Sequence, residues 1–258
     1  MDRFTKLMAG VGLTLGATMG AQAASVDLTT AGSSATVNGA IYTQVISQPT
    51  GTGVFDPFLR LQQQGNNTEE AAYNSDNVTN DNPDAKTDIH THSLLLGDLV
   101  ETGGYYTFTL DLGEPGRTGS EQSQVALSEL KLYLGTSGDL APTIANVDTL
   151  GNLVYNLDAG TDNTVVLADL TSGNGKSDYT VQIPKSAFDA QADAQHQYVY
   201  LYSHFGPDPS ADGSFEEWAA HTGPAAAIPL PPAAYMGLAT FGVIGLAGMR
   251  RKVKGLLA

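Results

Sequence analysis

The chain has 258 residues, no cysteine, a single tryptophan, and 27 Asp+Glu against 12 Lys+Arg, for a net charge of −15. Lack of cysteine excludes disulfides and thiol chemistry, so the fold must be held by its core and by any cations it binds. So acidic a surface repels nucleic acid and anionic lipid and attracts divalent cations.

The first residues, "MDRFTKLMAGVGLTLGATMGAQAA", run from a basic start (Arg3, Lys6) through an apolar stretch to Ala21-Gln22-Ala23. This is the layout of a secretory signal peptide over 1–23, with cleavage expected after Ala23. The alternative is a retained anchor, for which the apolar run is short against the ~20 residues of a membrane span. Without Asp2, Arg3 and Lys6 at this end and Arg250, Arg251, Lys252 and Lys254 at the other, 6 basic and 26 acidic residues remain, a net charge of −20.

Residues 24–222 read as strands and turns. "SATVNGAIYTQVI" places Asn38-Gly39 between two strand-like runs, a hairpin signal. "GVFDPFLRLQQ" alternates Phe58, Arg60 and Gln62 with Leu59 and Leu61, and "THSLLLGDLV" is more continuously apolar. "GGYYTFTLDLGEP" sets Tyr106, Phe108 and Leu110 against Tyr105, Thr107, Thr109 and Asp111. Five further strands are expected in "ALSELKLYLG", "GNLVYNLDAG", "NTVVLADL", "SDYTVQIP" and "QYVYLYSHFG". The one helix-compatible stretch is 185–194, which also reads as a turn. Residues 64–88 and 135–151 read as long polar loops. The fold class expected is all-β, a single jelly-roll-like β-sandwich. A parallel β-helix would need a repeat, and none is present.

Residues 223–232 form a Pro/Ala linker, and 233–249 carry no charge, a stretch just short of a ~30 Å hydrocarbon core at 1.5 Å per residue. The basic tail 250–258 would stay in the cytoplasm by the positive-inside rule. Pro229-Leu230-Pro231-Pro232, the apolar segment and Arg250-Arg251-Lys252 together resemble the PEP-CTERM sorting signal in its Val-Pro-Leu-Pro form, which lacks the usual glutamate. That resemblance implies a Gram-negative exporter of exopolysaccharide and, as partner, an exosortase that processes the tail at the inner membrane. The order of "TGTGVFDPFLRLQ", "AYNSD", "THSLLLGDL", "YTFTLDLGEP", "LSELKLYLG", "YVYLYSHFG" and "GSFEEWA" is similar to a group of secreted proteins with such tails. It implies an extracellular β-rich module and supplies no reaction.

Glu216 and Glu217 are adjacent, so on a strand they point to opposite faces and cannot form the facing pair of a glycosidase. Trp218 is either a core residue or a platform for stacking a sugar. His90 and His92, at i and i+2, are either structural or a partial metal site lacking a third ligand. No Gly-x-Ser-x-Gly, Walker loop or His-Glu-x-x-His occurs. Ca²⁺ is the expected cofactor because turn carboxylates and amides supply the oxygens it takes. Asp56, Asn74, Asp76 and Glu217 are the expected ligands, on the premise that the first and last strands lie side by side.

The function expected is an exported surface or matrix protein, structural or adhesive, non-catalytic and polysaccharide-binding. The alternatives are a secreted carbohydrate-active hydrolase or lyase, and a membrane-anchored periplasmic protein whose tail is never processed.

Overall fold

A computed structural model describes residues 24–45, 55–115, 120–170, 175–211, 213 and 215–223. The expected signal peptide, most of the linker, the apolar segment and the basic tail fall outside the described residues. So do the sorting residues Pro229, Leu230, Pro231, Pro232, Arg250, Arg251 and Lys252. No helix among the described residues is long and apolar enough to cross a membrane.

In chain order the strands are β1 (Ala24–Asp27), β2 (Ser34–Val37), β3 (Ala40–Gln44), β4 (Pro57–Leu61), β5 (Glu70–Tyr73), β6 (Leu94–Leu95), β7 (Glu101–Thr102) and β8 (Tyr105–Asp111). They continue as β9 (Gln124–Gly135), β10 (Asn152–Asn156), β11 (Asn163–Ala168), β12 (Tyr179–Pro184), β13 (Tyr198–Phe205) and β14 (Glu216–Ala220). One short helix, α1 (Lys185–Asp189), separates β12 from β13. The first sheet runs β1-β11-β9-β13-β5, with β10 also on β9 and β6 also on β13. The second runs β2-β3-β12-β8-β14-β4, with β7 on β8. Among the described strands only β1 with β11 is a parallel pair.

The hairpin signal is met at β2–β3. Val37 pairs with Ala40, and the two turn residues both have positive φ, 47° at Asn38 and 87° at Gly39. That is why Asn-Gly is the favoured dipeptide there. The alternation in β8 sends Tyr106, Phe108 and Leu110 into the core, with the latter two fully buried.

Both sheets contribute to one apolar cluster: Leu127, Leu132 and Val199 from the first, and Phe58, Phe108, Val181 and Trp218 from the second. Hydroxyls and an indole tie the sheets across it. Tyr42 and Tyr155 hydroxyls lie 2.9 Å apart, the Tyr179 hydroxyl donates to the Leu28 carbonyl at 2.9 Å, and Trp218 Nε1 donates to Ser203 Oγ at 3.1 Å. Polar groups in an apolar layer are tolerated only when paired in this way.

Several local expectations fail. The polar stretch 64–88 contains β5, whose four residues are held by pairing with β13 rather than by any apolar run of their own. In "THSLLLGDLV" only Leu94–Leu95 is strand, and a 3₁₀ turn follows over Leu96–Asp98. The stretch 135–151 contains a 3₁₀ segment, Ile144–Leu150, that buries Val147 and Leu150.

Candidate functional site

Strand β13 reads Tyr-Val-Tyr-Leu-Tyr-Ser-His-Phe, and its alternation divides the residues between two faces. Val199, Leu201 and Phe205 belong to the main core. On the opposite face Tyr200 and Tyr202 pack with Tyr73, Tyr133, Val147 and Leu150 in a second apolar cluster. The 3₁₀ segment Ile144–Leu150 contributes to that cluster and leaves the Glu129 end of the sheet open. There a groove of ≈ 820 Å³ is lined by Glu69, Glu129, Lys131, Asp148, Tyr202 and His204, and it also reaches Glu70 and Asp84.

The charges in the groove are placed by strand register. His204 is opposite Glu129 on β9, and Tyr202 is opposite Lys131. Lys131 Nζ lies 3.1 Å from Glu129 Oε2, 3.7 Å from Asp148 Oδ1 and 5.8 Å from the Tyr202 ring centroid. The Tyr133 hydroxyl donates to Asp148 Oδ1 at 2.5 Å. The His204 imidazole sits between two carboxylates, with Nε2 3.4 Å from Glu69 Oε2 and Nδ1 3.7 Å from Glu129 Oε1. Glu129 is the main reason that His204 holds its proton above the usual imidazole range. In return His204 holds Glu129 below the usual carboxylate range. Burial raises Asp84. The groove therefore offers carboxylate acceptors, one ammonium and one imidazolium, on a floor made partly of tyrosine.

A second set of acidic groups lies beside β14, and the opposite-face rule sorts it. Glu217 turns to the outer face of the second sheet, where Arg60 Nε approaches its Oε1 at 2.8 Å. Arg60 also reaches Asp88 at 3.0 Å, and its guanidinium lies 3.8 Å from the Phe215 ring centroid. Asp111, opposite Glu217 in the sheet, accepts from Gly175 N at 2.5 Å and Lys176 N at 3.3 Å, and burial pushes it up to about 7. Glu216 turns inward, is 1% exposed, and hydrogen-bonds the carboxyl of Glu70 on the other sheet. The two glutamates do point to opposite faces, and both are buried.

The four residues expected to hold Ca²⁺ are not brought together. The first strand, β1, lies in the other sheet from β14; β4 is the strand beside β14, and there Glu217 is opposite Arg60 while Pro57 is opposite Ala219. That register leaves Asp56 four residues along the strand from Glu217's partner, roughly 13 Å at ~3.3 Å per residue. Asn74 is fully buried and its amide is used by backbone. Nδ2 donates to the carbonyls of His92 (3.2 Å) and Val199 (3.0 Å), and Oδ1 accepts from Leu201 N (2.7 Å). Asp76 accepts from Ser93 N and Ser93 Oγ, both at 2.8 Å. Among the described residues no three His, Asp or Glu side chains converge as a metal centre. His90 lies in a turn and His92 in irregular chain, so neither stands on a strand as the i, i+2 argument needs. His92 Nδ1 instead contacts the Ser93 carbonyl at 2.8 Å. Trp218 is 0% exposed, so no ring face is open to a sugar and the core reading applies.

Sequence reasoning missed Glu69, Glu129, Lys131 and His204 as a group. The signal that would have found them is the alternation in "YVYLYSH" and "SELKLY", which puts polar and aromatic residues on the face away from the core. Compared with known proteins, the chain matches no family model, no curated protein and no solved structure.

Proposed function

We propose that this is an exported surface or matrix protein whose single module, a jelly-roll-like β-sandwich, holds polysaccharide without altering it. The observation that carries the adhesive reading is the open polar groove on the outer face of the first sheet. It has the size of a small-molecule or glycan site, with Glu129, Lys131, Tyr202 and His204 standing on β9 and β13 and Glu69, Asp84 and Asp148 supplied by the segments around them. Four carboxylates, Glu69, Asp84, Glu129 and Asp148, face one ammonium and one imidazole there. The chain contacted is accordingly a neutral polysaccharide, because a uronate polymer would be repelled. The export reading rests on the signal peptide ahead of Ala24 and on the tail with Pro229-Leu230-Pro231-Pro232 and Arg250-Arg251-Lys252. An exosortase is the partner it implies, with the inner membrane engaged only in transit.

A secreted hydrolase or lyase is the second reading. It is favoured by His204, which stands between Glu69 and Glu129 in that same groove as a proton-holding group flanked by carboxylates. The test is a glycan array probed with the secreted protein, followed by incubation with each glycan that binds. Retention without new reducing ends or unsaturated products supports adhesion. Depolymerisation that is lost in His204→Gln supports the enzyme.

A further inference from the structure

Glu70 and Glu216 face each other between the sheets, the first at the start of β5 and the second at the start of β14. They are 2% and 1% exposed. Their carboxyl groups are hydrogen-bonded to each other, which two carboxylates achieve only by sharing a proton or a cation. Among the described residues, few groups of positive charge act on the pair. Glu216 Oε1 accepts from Gly113 N at a long 3.4 Å, and Glu70 accepts from the backbone of Gln63. Glu114 acts on Glu216 and Asp84 on Glu70, both unfavourably, and Lys86 is the weakest influence on Glu70. Among the described residues no ion pair reaches either carboxyl.

A second observation separates this pair from a mere acidic cluster. Glu70 Oε1 is buried and has no hydrogen-bond partner. Glu70 borders the groove through its place at the start of β5, while its side chain turns to the opposite face, as Ala72 does, and meets Glu216. The backbone is drawn tight around the pair. A Cβ on Gly213 would stand 2.4 Å from the Gly113 carbonyl oxygen, next to Glu114.

We propose that Glu70 and Glu216 form a divalent-cation site, with Ca²⁺ as the ion, that loads in exchange for the proton the pair otherwise shares. The donors are all oxygen, which suits a hard cation and not zinc or copper. Two carboxylates leave most of the six to eight positions of Ca²⁺ to carbonyls and to water. The exchange balances: one Ca²⁺ enters, one proton leaves to solvent, and the pair passes from one negative charge to neutrality. The same ion would then bridge β5 to β14 and clamp the two sheets together.

The test is calorimetry of the secreted protein with CaCl₂ alone, in two buffers of different ionisation enthalpy, from pH 5 to 8. The expected result is about one proton released per ion, with affinity rising about tenfold per pH unit while the pair is protonated. Glu216→Gln and Glu70→Gln should each abolish that binding, and Asp76→Ala should leave it intact. Circular dichroism identifies the folded variants, and the reading is taken from whichever of the two glutamine variants folds. The proposal is overturned if calcium binds without releasing a proton, if a folded glutamine variant binds it as the parent does, or if magnesium or sodium at matched ionic strength stabilises equally.

Discussion

Arg60 and Glu217 form the charged contact between the neighbouring strands β4 and β14, with Nε 2.8 Å from Oε1. The Arg60 Nε–H is not aligned on that oxygen as a hydrogen-bond donor, so the attraction is Coulombic. Burial raises the Glu217 carboxyl, and the Arg60 charge opposes that rise. Replacing Arg60 with Ala leaves Glu217 and Asp111 adjacent without that cation and removes the contact with Phe215. We expect Arg60→Ala to destabilise by about 2 kcal/mol, less than the ~3–5 of a fully buried pair because the guanidinium is partly exposed. Glu217→Gln should cost less. Urea denaturation of both variants checks the order.

Asn74 is expected to act as a brace and not as a calcium ligand. Its amide joins the end of β5, the segment at His92 and β13 through three hydrogen bonds, two of them buried. Asn74→Ala strands three backbone groups, and a loss of about 3 kcal/mol follows from ~1–3 for each unsatisfied group after partial rearrangement. The loss should be the same in calcium and in chelator. A melting-temperature deficit that calcium repairs would restore Asn74 as a ligand.

Stability should fall as pH rises from about 5 to 8 in chelator. Glu70, Glu216 and Asp111 hold protons in the folded state more tightly than an unfolded chain does, because burial penalises their charge. Groups with raised pKa contribute stability that is present below the unfolded value and is lost as pH climbs through the folded one, about 7 for Asp111. His204, also raised, acts in the same direction. Glu129 is lowered and works oppositely, losing its contribution as the solution turns acid. Melting temperatures at half-unit intervals should peak near pH 5, and Asp111→Asn should flatten the slope around neutrality.

The groove should weaken one contact at a time. Lys131→Ala and Glu129→Ala each remove a hydrogen-bonding group worth about 1 kcal/mol, so about fivefold weaker capture of a neutral glycan is expected. Binding that is unmoved by both variants would place the glycan elsewhere.

Much of the architecture was legible in the sequence because each strand carries its own pattern. Asn38-Gly39 dictates a turn, and Tyr106, Phe108 and Leu110 dictate a face. What escaped depends on partners distant in the chain. "EAAY" becomes β5 only because β13 offers it an edge, and "LLL" yields two strand residues before a 3₁₀ turn. The expected pairing of first and last strands fails, because β1 lies on β11 in the other sheet; β14 lies on β4 instead, and that register makes Glu217 meet Arg60 and not Asp56. The opposite-face rule separated Glu216 from Glu217 correctly. It could not say that Glu216 would find Glu70 across the core, since nothing local in "NNTEEAAY" marks an inward carboxylate.

Export with removal of the tail is the central claim, and mass spectrometry of the protein recovered from its native cells and their medium tests it most directly. The account requires a mature chain that begins at Ala24 and lacks residues 250–258. A chain found only in the membrane fraction with Arg250, Arg251 and Lys252 still attached, in cells that possess an exosortase, would contradict it.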